Sequence, residues 1–156
     1  MSFYRRHLPH WQPPGKALFI TWSLHDPEAH WLRQPEIARI IVDAIHFGAE
    51  RLGRYDLHAF VVMSNHIHIL VHPHVEAAVI LKNLKGITAR RSNAVLGRVG
   101  KIFWLDESFD HWIRTDIEFA ETKEYIEGNP VRAGVVLRAQ DYPWSSAYRP
   151  GSGLEA

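Results

Sequence analysis

Apolar and β-branched residues gather along the chain in short runs separated by polar, proline- and glycine-bearing stretches, and the spacing within each run separates strand from helix. Ala17 to Leu24 (Ala-Leu-Phe-Ile-Thr-Trp-Ser-Leu) reads as a first strand. Pro35 then opens a helix whose apolar positions, Ile37, Ile40, Ile41, Ala44, Ile45, Gly48 and Leu52, recur at three-four spacing until Gly53 ends it. Two further strands, Tyr55 to Met63 and His66 to His72, flank the polar pair Ser64 and Asn65, which marks a tight turn. A second helix runs from about Val75 to about Leu96, with Ala77, Ile80, Leu81, Leu84, Ile87 and Arg91 at helical spacing. Ile102 to Trp104 and His111 to Arg114 fit a fourth strand and its approach. Asp116 is the expected N-cap of a helix over Ile117 to Gly128, which Gly128 and Asn129-Pro130 stop. Val131 to Leu137 is a short apolar continuation, and Asp141 to Tyr148 packs as a C-terminal segment.

The order strand, helix, strand, strand, helix, strand predicts an α+β protein with a ferredoxin-like antiparallel sheet, βαββαβ, and two helices on one face. The additional C-terminal helix carries Tyr125. One domain is expected over residues 1–156, with residues 1–16 as an irregular arm and 149–156 as a loose tail.

Composition narrows the chemistry. The absence of cysteine removes disulfides, cysteine zinc sites and thiol nucleophiles. No apolar run approaches a membrane-spanning length and the first ten residues hold no apolar signal core, so a soluble, cytoplasmic protein is expected. The net charge is only +1, so any argument for an anionic partner rests on where the charges lie. Between Ala77 and Leu105 no acidic residue occurs, while Lys82, Lys85, Arg90, Arg91, Arg98 and Lys101 do. That stretch reads as a phosphate-binding face or as a solvated helix surface.

The stretch from 58 to 74 holds the densest chemistry. Side chains two apart on a strand share a face, so His66 and His68 project together while Ile67 points away. Two adjacent imidazoles are half of a metal site, against the ordinary reading of hydrogen-bonded strand-edge histidines. Tyr125 and Asn129 are four apart and share a helix face. Beside a divalent cation that also holds a phosphate, a phenol can attack phosphorus, and an asparagine oxygen can complete the cation's ligands; otherwise Tyr125 is a core or rim residue.

The ordered set Met63-Ser-Asn-His66-Ile-His68-Ile-Leu-Val, Trp104-Leu-Asp-Glu-Ser-Phe-Asp-His-Trp-Ile-Arg114, Tyr125-Ile-Glu-Gly-Asn-Pro-Val-Arg-Ala-Gly134 and Trp144-Ser-Ser146 resembles the REP-associated tyrosine transposases, of the single-tyrosine HUH group. The resemblance covers nearly the whole chain, from the Arg6–Pro13 arm through Ser146. It implies that His66, His68 and Asn129 bind magnesium or manganese and that Tyr125 is the nucleophile. It further implies cleavage of single-stranded DNA beside a repetitive palindromic hairpin, through a 5′-phosphotyrosine, with no nucleotide cofactor. Arg5, Arg6, Lys82, Lys85, Arg90 and Arg91 are then the expected DNA contacts, with Trp11 nearby, and the protein acts as a monomer or a homodimer. Two positions depart from the family pattern: Ser64 stands where relatives commonly have proline, and Gly128 where many carry a bulkier residue. Two other readings compete. One is a small-substrate metallohydrolase built on His66, His68, His72 and His74; the other is a catalytically idle nucleic-acid-binding domain of the same fold.

Overall fold

The computed structural model describes Tyr4–Arg5 and residues 15–151. Nine elements matter here: β1 (Tyr4–Arg5), β2 (Leu18–Leu24), α1 (Pro35–Glu50), β3 (Tyr55–Val62), β4 (His66–Pro73), α2 (Ala77–Leu96), β5 (Trp104–Trp112), α3 (Asp116–Glu127) and α4 (Asn129–Arg132). The sheet is antiparallel throughout, in the order β1-β5-β2-β4-β3. Without the two-residue β1, it is the expected βαββαβ arrangement. Tyr4–Arg5 lies within the stretch expected to be an irregular arm, and its backbone pairs with Asp110 and Phe109 of β5. Arg6 and Trp11 lie outside the described residues, as does the tail beyond Gly151.

Alternation along β2 decides what lies on each side. Leu18, Ile20, Trp22 and Leu24 join Ile67, Ile69 and Val71 of β4 against α1 and α2, in a core that also takes Ile37, Ile41 and Ile45. Phe19 faces the other way with Leu70, Ala59 and Val61, under Ile126 of α3 and Tyr142 of the C-terminal segment. Helices α1 and α2 therefore cover one face and α3 the other.

Two local readings are corrected by the backbone. The fourth strand is one continuous element from Trp104 to Trp112, running through the polar Asp106-Glu-Ser-Phe-Asp110. Both neighbours of that strand supply hydrogen bonds, so the ladder forms there without an apolar pattern. The cap of α3 is Thr115 rather than Asp116, its hydroxyl accepting from the Glu118 N–H at 3.0 Å. Glu118 in turn accepts from the Arg114 N–H at 2.8 Å, a variant of the reciprocal capping box.

At α1 the fit is tight. A Cβ at Gly48 would sit 2.5 Å from the Tyr55 hydroxyl oxygen, and that hydroxyl is held in place by donating to the Ile45 carbonyl at 2.5 Å. Gly48→Ala is accordingly expected to destabilise the fold by about 1–3 kcal/mol through overpacking, despite alanine's better helix propensity. Urea denaturation checks the sign, and a stabilised variant would contradict it.

Candidate active site

On β4, His66 and His68 stand on the α3 side of the sheet, opposite Ser23 and Thr21 of β2. Their rings lie 4.9 Å apart between centroids. Asn65 orients the first ring. Its amide nitrogen donates to the Pro27 carbonyl at 2.9 Å, which turns its oxygen to His66 Nδ1 at 2.8 Å. An amide oxygen only accepts, so His66 Nδ1 carries the proton and Nε2 keeps its lone pair. His68 Nδ1 meets the Thr21 hydroxyl at 2.7 Å, which leaves its Nε2 for another partner. The turn before the pair is anchored as well: Ser64 Oγ meets His30 Nδ1 at 2.9 Å and the Ser64 carbonyl accepts from the Leu32 N–H. Burial lowers the affinity of both rings for a proton. That of His68 falls to a pKa of about 3, through desolvation first and then the positive fields of His66 and Arg132. Neutral imidazoles with Nε2 lone pairs are the form that binds metal.

Helix α3 delivers Tyr125 to this pair. Buried His111 on β5 meets Glu118 at 2.9 Å and so ties the start of α3 to the sheet. At its other end, Ser146 donates to Glu127 at 2.6 Å while bonding Phe60 of β3. Between these fixings the Tyr125 ring packs edge-on to His68 at 5.6 Å and to Phe19 at 6.2 Å. It remains 47% exposed, so substrate can reach its hydroxyl. Gly128 continues in helical conformation (φ −86°, ψ −6°) into α4, so Asn129 falls one turn beyond Tyr125, as the four-residue spacing requires. The guanidinium of Arg132 lies 4.5 Å over the Tyr125 ring and donates to the Tyr125 carbonyl.

A sequence profile of the IS200-like transposases matches residues 33–129, a span that contains His66, His68, Tyr125 and Asn129. The chain belongs to that family. A solved structure of a REP-associated tyrosine transposase bound to a REP hairpin superposes on this transposase with a TM-score of 0.69 at 22% identity, covering 90% of this chain and 81% of the other. A Deinococcus radiodurans R1 protein named as a transposase gives 0.51 at 22% identity, covering 76% of this chain and 97% of the other. At that identity the two share the fold with this transposase. A comparison with curated proteins finds no match.

The basic residues divide in this transposase. Lys82, Arg90 and Arg91 are exposed and line a cleft of about 550 Å³ between α1 and α2, on the sheet face away from Tyr125. Lys85 is spent structurally: its ammonium donates to the carbonyls of Leu105 and Asp106 and to Ser108 Oγ, at 2.8, 3.1 and 3.2 Å. All three of its donors are used, which leaves none for a phosphate. For Arg5 only the backbone is described. His72 sits at the far end of β4 and His74 just beyond it, paired to Asp56 at 3.1 Å. Among the described residues no three His, Asp or Glu side chains group as a metal site, so the four-histidine hydrolase has no site of that kind there. No helix of the described residues is long and apolar enough to cross a membrane. Sequence reasoning missed Thr21, Asn65 and Arg132. The only signals were a hydroxyl inside an apolar strand, an amide beside a histidine and a cation one turn past Asn129.

Proposed function

We propose that this transposase nicks and rejoins single-stranded DNA beside hairpin-forming palindromic repeats, with Tyr125 as nucleophile. The observation that carries this reading is the half-exposed Tyr125 ring against His68, a residue far away in sequence whose Nε2 is left for a ligand. His66 and His68, with Asn129, are the residues that would hold magnesium or manganese. A cation there would act as a Lewis acid on the phosphate. Tyr125 Oη bonds to phosphorus as the P–O3′ bond breaks. The phenol gives up its proton and the departing O3′ takes one up, leaving a 5′-phosphotyrosine and a free 3′-hydroxyl. Because the phosphotyrosine conserves the phosphodiester bond energy, reversal joins strands without a nucleotide. Exposed Lys82, Arg90 and Arg91 serve backbone phosphates. The hairpin substrate is supported by the sequence resemblance and by the REP hairpin bound to the structural neighbour.

The test is hairpin DNA labelled at its 3′ end, incubated with and without manganese and run on a denaturing gel. A metal-dependent labelled band that migrates with the protein is the expected product. Hairpin binding with no covalent product over varied flanking sequences would instead establish an idle binding domain. Thr21→Val is expected to weaken manganese binding about 10–100-fold, because it removes the partner that orients His68. Calorimetric titration with manganese checks this, and an unchanged affinity would mean that Thr21 does not orient a ligand.

A further inference from the structure

We infer that Arg132 is a catalytic residue that clamps the phosphate under attack by Tyr125, and that Gly128 is the gap through which it reaches that position. The inference rests on the cleavage reading above and adds a residue beyond the span matched by the family profile, residues 33–129.

Three observations carry it. First, the turn into α4 folds Arg132 back so that its guanidinium lies 4.5 Å from the centroid of the Tyr125 ring. A single N–H goes to the Tyr125 carbonyl, out of the five an arginine offers. Second, among the described residues no carboxylate pairs with this exposed cation. The side chain against it is the Tyr125 phenol, so no charge among the described residues balances it. A phosphodiester brings that charge, and a planar guanidinium with free donors is the side chain that matches phosphate oxygens in geometry. Third, Gly128 has φ −86°, a conformation open to any residue, so its missing side chain serves space rather than backbone freedom. A Cβ there would lie 2.8 Å from Arg132 Nη1 and 2.9 Å from the Glu124 carbonyl. This is the position at which the chain departs from the bulkier residue of many relatives.

A helix-terminal cation without a catalytic part would also find the end of α3 favourable. The two roles separate on a substrate whose scissile phosphate has lost its charge. Single-turnover adduct formation is measured at saturating manganese and DNA for wild type, Arg132→Gln, Arg132→Lys and Gly128→Ala. Each is tested on the ordinary hairpin and on one carrying a methylphosphonate at the cleaved position. On the diester, Arg132→Gln is expected to slow the reaction about 10²–10³-fold, with Arg132→Lys recovering part and Gly128→Ala falling between. Relative to wild type, the glutamine variant should recover on the methylphosphonate, while thermal midpoints stay close. A wild-type rate for Arg132→Gln on the diester, or an equal loss on both substrates, overturns the clamp. Absence of any adduct from wild type defeats the cleavage reading and the clamp with it. An adduct from wild type with an unaffected glutamine variant defeats the clamp alone.

Discussion

Tyr125→Phe is expected to abolish the covalent protein–DNA product, a loss of at least about 10⁴-fold, while hairpin affinity stays within about twofold. The substitution removes one oxygen. Phenylalanine keeps the edge contacts with His68 and Phe19 and the face offered to Arg132. The anchors of α3, from His111 to Glu118 and from Ser146 to Glu127, do not involve the hydroxyl. A lost adduct with retained binding therefore assigns the nucleophile rather than reporting damage. Labelled-hairpin gels and fluorescence anisotropy on the same preparations measure the two quantities. Persistence of the adduct in Tyr125→Phe would move the nucleophile elsewhere, with half-exposed Tyr148 next to be replaced.

Acid is expected to weaken the metal-free protein well above the carboxylate range, and His68 is the main reason. Its ring is 7% exposed, and burial brings its pKa from 6.5 down to about 3. The unfolded chain thus binds a proton that the folded chain refuses, and stability rises with pH across that window. The contribution is fully present above about pH 6.5 and is lost progressively as pH falls toward 3. Between pH 7 and pH 5 the loss from this one group is about 2 kcal/mol. His66 is shifted the same way by desolvation and adds to it. Guanidinium denaturation in chelator at the two pH values measures the drop, and His68→Gln should flatten it by about that amount. Equal pH dependence in wild type and His68→Gln would show that the ring protonates in place.

The βαββαβ core was legible because period-2 and period-3.6 patterns coincide there with strong punctuation at Pro35, Gly53, Ser64-Asn65 and Pro73. β5 was only partly visible. Its outward positions Leu105, Asp106 and Phe109 face solvent and its inward ones include Ser108 and Asp110, so no alternation of apolar and polar residues marks it. The cap at Thr115 was missed by one position because Asp116 is an equally good capping type. At the site, His66, His68 and Tyr125 could be named from their own chemistry together with the family resemblance. Thr21, Asn65 and Arg132 could not, since each matters only through a partner that folding brings near. Lys85 shows the converse: its charge looks like its neighbours' in sequence, and only the Leu105 and Asp106 carbonyls of β5 claim it.

The central position of β2 has a consequence for how the chain is made. One neighbour, β4, begins at His66, and the other, β5, ends only at Trp112. On a ribosome adding about 5–20 residues per second, Leu-Phe-Ile-Thr-Trp-Ser-Leu waits roughly 5–20 s between its own synthesis and that of the last residue it pairs with. For that interval the most apolar strand of the sheet is a nascent segment open on both sides until β4 is made and on one side thereafter, and long-range pairing of this kind is slow in itself. The yield of soluble protein should therefore respond to translation speed and to trigger-type chaperones that shield residues 18–24, before any property of the finished enzyme comes into play.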